Sequence, residues 1–228
     1  MFYKRVLLFL ILLSLALSLY GLEFESYGIM GGVMYIRNSI EDSAPSPILP
    51  FLGVNTSFSF SERFFIEPSA VFNWSYFLWS EDKKMALPAE IEYADSVLLF
   101  NIMLDCPFVL KFNVNEKVAL GGFVAPALIF RFPLKTWGEG DSHRSDILSY
   151  FYGGRFIFIE AGSLVEWNYS LRYSFKARLD TLLPVFNLWG DAPFSNQLTV
   201  RASITFSFKT KSARQARQAQ FPELTDIE

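Results

Sequence analysis

Leu198-Thr199-Val200-Arg201-Ala202-Ser203-Ile204-Thr205-Phe206-Ser207-Phe208 is the stretch on which the fold turns. Leu198, Val200, Ala202, Ile204, Phe206 and Phe208 share one side of a period-two ribbon, and Thr199, Arg201, Ser203, Thr205 and Ser207 share the other. Successive side chains of a strand point to opposite faces, whereas a helix of period 3.6 would scatter both sets around its circumference. Val165 to Phe175 reads the same way: Val165, Trp167, Tyr169, Leu171, Tyr173 and Phe175 oppose Glu166, Asn168, Ser170, Arg172 and Ser174.

Extended along the chain, this reading predicts about eight strands, near Tyr27–Ile36, Phe51–Phe60, Phe64–Leu78, Val97–Asn113, Val118–Phe132, Leu148–Ile159, Leu164–Lys176 and Leu198–Phe208. Each is long enough for a tilted strand to cross an apolar bilayer core. Their connections alternate in length. Ser61–Arg63, Val114–Lys117 and Glu160–Ser163 are short, while Arg37–Pro50, Trp79–Ser96, Pro133–Ile147 and Ala177–Gln197 are long and polar. Short turns at one end and long loops at the other predict an all-β, closed, antiparallel up-and-down transmembrane barrel, with extracellular loops and both termini periplasmic. Pro68, Pro107 and Pro126 fall inside predicted strands, where each removes a ladder donor, so bulges are expected there.

Composition agrees. Aromatic residues make up 18% of the 228 residues, 25 of them Phe, and a lipid-facing surface can hold that excess. Residues 1–21 read as a signal peptide: Lys4 and Arg5 precede an apolar run from Val6 to Leu17, and small residues at Ser18 and Gly21 offer two cleavage points. Residues 22–208 then form the barrel, and 209–228 a polar periplasmic tail, expected to be disordered although Ser212 to Gln220 can form a short helix. The formal net charge of −3 gives no basis for a nucleic-acid partner, and one cysteine excludes an intrachain disulfide.

At this point the chain resembles the small eight-stranded outer-membrane barrels of the OmpX- and PorT-like kind. Arg201 to Phe208 resembles their barrel-assembly signal, with Arg201 as its polar residue, Ser203 where Gly is usual, and Phe206 and Phe208 closing it. Cys106 to Phe112, followed by Gly121-Gly122 and Pro126, resembles the middle hairpin of PorT-like barrels, and Leu171 to Ser174 their penultimate strand. The resemblance implies a fold and a location, with outer-membrane lipid and the assembly machinery as partners. It leaves the activity open.

With the apolar face toward lipid, the inward ionisable residues are Glu67, Asp105, Lys111, Arg131, Arg155, Glu166, Arg172 and Arg201. An arginine on the lipid face at mid-depth would cost about 2–4 kcal/mol. Eight strands enclose a space that side chains fill, so these residues predict a plugged lumen closed by ion pairs, with Glu67 meeting Lys111 and Asp105 an acceptor for the arginines. The surplus of bases predicts a bound anion or water near the upper ones. Trp74, Tyr76, Tyr150 and Tyr152 at the loop ends, with Trp167, Phe206 and Phe208 at the turn ends, are the expected interfacial girdles.

The favoured function is a structural or surface-interaction, adhesin-like barrel, with any extracellular partner meeting the long loops. Trp79, Trp137 and Trp189 there are either contact anchors or rim packing. A narrow channel for small solutes or hydrophobic molecules is one alternative. A lipid A-modifying enzyme is another, because His143, the only histidine, stands in Asp141-Ser142-His143-Arg144-Ser145-Asp146. Since that site would have to lie at the membrane edge and this segment reads as a polar loop, no enzyme is expected, and neither cofactor nor metal. A soluble barrel with the aromatics inside would need the opposite parity.

Overall fold

The computed structural model describes residues 22–38, 46–89, 95–138, 140–188 and 196–220. The expected signal peptide and Trp189 lie outside them. The strands are β1 Glu23–Ile36, β2 Ile48–Ser59, β3 Phe64–Ile66, β4 Ser69–Ser80, β5 Met85–Ala89, β6 Val97–Asp105, β7 Phe108–Asn113, β8 Val118–Thr136, β9 Ile157–Asn168, β10 Tyr173–Pro184 and β11 Thr199–Lys209. Helix α1 spans Gly140–Tyr152, α2 spans Lys211–Gln220, and a 3-10 turn covers Val185–Leu188.

These strands make eight staves. β3 and β4 are halves of one, β6 and β7 of another, and β5 stands outside the ring as the return strand of a hairpin on β4. Every pairing is antiparallel, and β1 against β11, from Ser26↔Lys209 to Ile36↔Thr199, closes the ring. The close approach of these two strands requires Gly32, where a Cβ would lie 2.1 Å from the Ala202 carbonyl.

The burial pattern is inside out. Along β11, Arg201 is 1% exposed and Ile204 63%. Ile29, Leu52, Val54, Val124 and Leu179 are likewise exposed, while Lys176, Arg178, Asp180 and Glu160 are buried. Water as surrounding solvent would reverse that preference, so the soluble alternative fails and the outer face is one suited to lipid. No helix among the described residues is long and apolar enough to cross a membrane.

Pro68 and Pro107 do interrupt their staves. They separate β3 from β4 and β6 from β7, and the Glu67 N–H donates to the Pro107 carbonyl at 2.9 Å across the two breaks. Pro126 instead stays within β8, opposite Ile159, with its ring on the outer face.

Several expectations are corrected. The sixth strand, expected over Leu148–Ile159, begins only at Ile157, because Gly140–Tyr152 is helical. Ile147, Tyr150 and Phe151, at helical i, i+3, i+4 spacing, pack with Phe77, Met85 and Leu87 of the β4–β5 hairpin. Gly154, at φ 104°, turns the chain out of the helix, and the Arg155 N–H donates to the Phe151 carbonyl at 2.9 Å. The turn expected at Glu160–Ser163 is part of β9. The actual turn is Tyr169–Arg172, where Ser170 Oγ accepts N–H bonds from Arg172 and Tyr173, each at 3.1 Å. Residues 177–184, expected in a loop, belong to β10.

The other two short turns fall where expected. Phe60 N–H donates to Phe64 O around Ser61–Arg63, and Asn115 Oδ1 accepts from the Lys117 and Val118 amides at 2.8 Å. The tail expected to be disordered is helical over Lys211–Gln220, with Thr210 Oγ1 accepting from the Ala213 N–H and donating to the Phe24 carbonyl.

Candidate functional site

The lumen holds two linked groups of buried charges. The lower one centres on Glu67, which is fully buried at the β3–β4 break. Its carboxylate receives Lys176 Nζ at 2.6 Å, Lys111 Nζ at 2.7 Å and the Arg178 guanidinium. Lys111 also donates to Glu166 at 2.8 Å, and Lys209 reaches Glu166 at 3.4 Å from the turn end. Lys111 and Arg178 lie over the rings of Phe65 and Phe123, at 4.2 and 5.2 Å from their centroids.

Arg201 centres the upper group. It meets Glu160 at 2.6 Å, Asp180 at 2.9 Å and Asp105 at 3.4 Å. Asp105 also accepts from Ser69 Oγ at 2.5 Å. Here the bases Lys111, Lys176, Arg178, Arg201 and Lys209 face the acids Glu67, Asp105, Glu160, Glu166 and Asp180, a balanced set. An ion taken from water into low dielectric is costly alone and tolerable with several partners, which explains why these charges are gathered.

Six of the eight expected lumen residues are inside: Glu67, Asp105, Lys111, Arg131, Glu166 and Arg201. Arg155 and Arg172 are corrections. Arg155 is half-buried between α1 and β9, donating to the Tyr150 carbonyl at 3.1 Å and lying over the Tyr150 ring, while Arg172 is exposed in the Tyr169–Arg172 turn. Sequence reasoning missed Glu160, Lys176, Arg178 and Asp180. For the last three the signal was the alternation of Lys176, Arg178 and Asp180 with Ala177, Leu179 and Thr181, continuing past the expected strand end.

Met30, Met34, Phe51, Val71, Met103, Phe158 and Leu182 make an apolar cluster in the lumen that packs against Arg201, whose guanidinium lies 5.8 Å from the Phe51 ring centroid. Over the long-loop end sits α1, whose Phe151 meets Phe77 edge-on at 4.9 Å.

The outer face carries an aromatic band at the turn end. Ring contacts run from Phe58 through Phe24, Tyr27, Phe208, Phe206 and Phe175 to Trp167, crossing five neighbouring staves. At the other end Trp74 is exposed against Phe100, Tyr76 packs on Trp137, and Tyr152 donates to the Arg131 carbonyl at 2.7 Å. Tyr150 is a correction: it is a buried residue of α1, packed in the cluster with Phe77 and Leu87, and not on the outer face. Trp79 packs against that same cluster, 6.3 Å from Tyr150, so both described loop tryptophans are rim residues.

His143 lies on α1 with its Nδ1 3.3 Å from Glu81, and with Glu81 and Asp146 it brings three ligand atoms within 4.8 Å of one another. Glu81 and Asp146 are exposed, and His143 is half-buried.

This is the fold of a small outer-membrane β-barrel protein. No protein-family model matches the chain, and no curated protein does. Among solved structures, Neisserial surface protein A is similar with a TM-score of 0.52 at 8% identity, over 83% of this chain and 99% of that one. The attachment invasion locus protein Ail of Yersinia pestis, in complex with the heparin analogue sucrose octasulfate, is similar with a TM-score of 0.43 at 11% identity, over 82% and 98%. The N-terminal β-barrel domain of OprF from Pseudomonas aeruginosa gives 0.34 at 8%, over 82% and 100%.

Proposed function

We propose that this is an integral outer-membrane barrel with a closed lumen, working without catalysis through what it presents at its long-loop end. The observation that carries the reading is the filling of the barrel: Glu67 with three cations, Arg201 with three carboxylates, and an apolar cluster packed against them. A barrel filled this way offers solutes no path and leaves the ends as its working surfaces. Support for the long-loop end comes from α1 and the β4–β5 hairpin, which build a packed platform above the rim.

In this reading the long loops are extracellular, the termini periplasmic, and the partner, in an adhesin-like role, meets the platform. Arg201, Ser203, Phe206 and Phe208 then serve the assembly machinery during insertion. Phe206 and Phe208 have their rings on the outer face of the closing strand.

The test combines two measurements on the full-length protein. Reconstituted into planar bilayers, it stays silent, and epitope tags at Lys83 or Gly138 are reached by antibody on intact cells. Steady single-channel conductance would instead make it a narrow channel. Tags reached only after membrane rupture would invert the topology.

A further inference from the structure

Among the described residues, Arg131 is the one lumen base outside the balanced set. It stands on β8 two inward positions above Ala127, so about 13 Å up the strand from the level of Asp105. Its side chain is buried, 6% exposed. Among the described residues no carboxylate reaches it. The guanidinium has the Arg155 carbonyl at 3.5 Å, the limit of a hydrogen bond, and the faces of Phe151 and Phe77 at 3.9 and 5.9 Å. Aromatic faces attract a cation but do not neutralise it. The upper carboxylates are already engaged by Arg201.

Arg131 lines a cavity of about 30 Å³, bounded by Met34, Val71, Phe158 and Leu182 and by the polar groups of Asn73, Asn101 and Gln197. Asn73, Asn101 and Arg131 are in register on three neighbouring staves, so they form one row across the wall. The Asn73 amide donates to the Met34 sulfur at 3.1 Å. A thioether is a weak acceptor, so this N–H would turn to an anion in preference.

We propose that this chamber is a binding site for one monovalent anion of chloride size, held by the Arg131 guanidinium with the Asn73 amide. The chemistry is an unneutralised buried charge beside a weakly used donor, in a small chamber walled by Met34, Val71, Phe158 and Leu182.

The experiment uses the full-length protein in detergent. Crystals soaked in sodium bromide should show anomalous density within about 3.5 Å of the Arg131 guanidinium. The melting temperature, followed as loss of the compact form on gels, should rise saturably when chloride or bromide replaces gluconate. Asn101→Asp puts a carboxylate directly opposite Arg131, and this variant should fold and lose the halide dependence by roughly tenfold or more in concentration. Arg131→Met should lose it too. Three results would each overturn the proposal: no bromide at Arg131 with equal melting in chloride and gluconate, elongated density of a bound fatty carboxylate in the chamber, or an Asn101→Asp protein as halide-sensitive as the wild type.

Discussion

Glu67 and Lys176, 109 residues apart in the chain, meet at 2.6 Å inside the barrel. Glu67 stands where Pro68 breaks the third stave, and Lys176 comes from β10, which is not a neighbour of that stave. The contact therefore crosses the lumen, and with Arg178 it ties two separated parts of the wall through one carboxylate.

That carboxylate is costly to remove, because three buried cations share it. Glu67→Gln keeps the shape and takes from Lys176 and Arg178 the carboxylate they touch directly, while Lys111 retains Glu166. Breaking a buried pair from one side typically costs about 3–5 kcal/mol, and the expected loss of stability is in that range. Urea unfolding in detergent measures it. Asp82→Ala, in the exposed hairpin turn, should change stability by no more than about 0.5 kcal/mol. Equal stability of Glu67→Gln and the wild type would mean that the lumen is wetter than the packing implies.

The upper group behaves asymmetrically. Asp105→Ala takes one of three acids from Arg201, which keeps Glu160 and Asp180. Arg201→Met strands all three carboxylates. Both variants should destabilise, Arg201→Met by more, and the same unfolding assay ranks them. The reverse order would show that Asp105 acts chiefly through Ser69 and not through Arg201.

The residues explain how much was legible beforehand. Barrel class and parity rest on segments such as Thr199–Lys209, whose alternation has no interruption. Register was harder at Val165–Phe175, because both sides of the Tyr169–Arg172 turn keep apolar residues out and polar residues in. The break shows only in the reversal at Leu171, which is buried, and Arg172, which is exposed. Misplacing that turn ended the seventh strand early and assigned Arg178 and Asp180 to a loop. A charge beyond a strand's expected end reads as solvent-exposed unless the lumen is already known to be ionic. Helix α1 was missed because Leu148 to Tyr152 is short and apolar, a run that fits either period; the Gly153-Gly154 stop and the spacing of Ile147, Tyr150 and Phe151 were the available signals.

The aromatic band predicts where tryptophans sit relative to lipid. Trp167 is 46% exposed on the outer face and Trp74 54%, whereas Trp79 packs against the α1 cluster. In single-tryptophan variants reconstituted with brominated phospholipids, Trp167 and Trp74 should be quenched and Trp79 should not. Absence of quenching at Trp167 would remove the turn-end girdle as a membrane interface.

The platform at the long-loop end should unfold separately from the barrel. Phe151 is 1% exposed and joins three things: the edge contact with Phe77, the contact with Tyr150 at 5.4 Å, and the Arg131 guanidinium on its face. Phe151→Ala removes all three, and large-to-small changes of this kind cost about 3–5 kcal/mol where the site cannot collapse. The strands are held by their own continuous ladders, from β1–β11 round to β8–β9, none of which passes through α1. The loss should therefore fall on the helix. Hydrogen exchange of the α1 amides should speed up by orders of magnitude while β9, β10 and β11 keep wild-type protection. If the strand amides accelerate together with those of α1, the platform and the barrel form one cooperative unit, and the helix is part of what keeps the barrel folded.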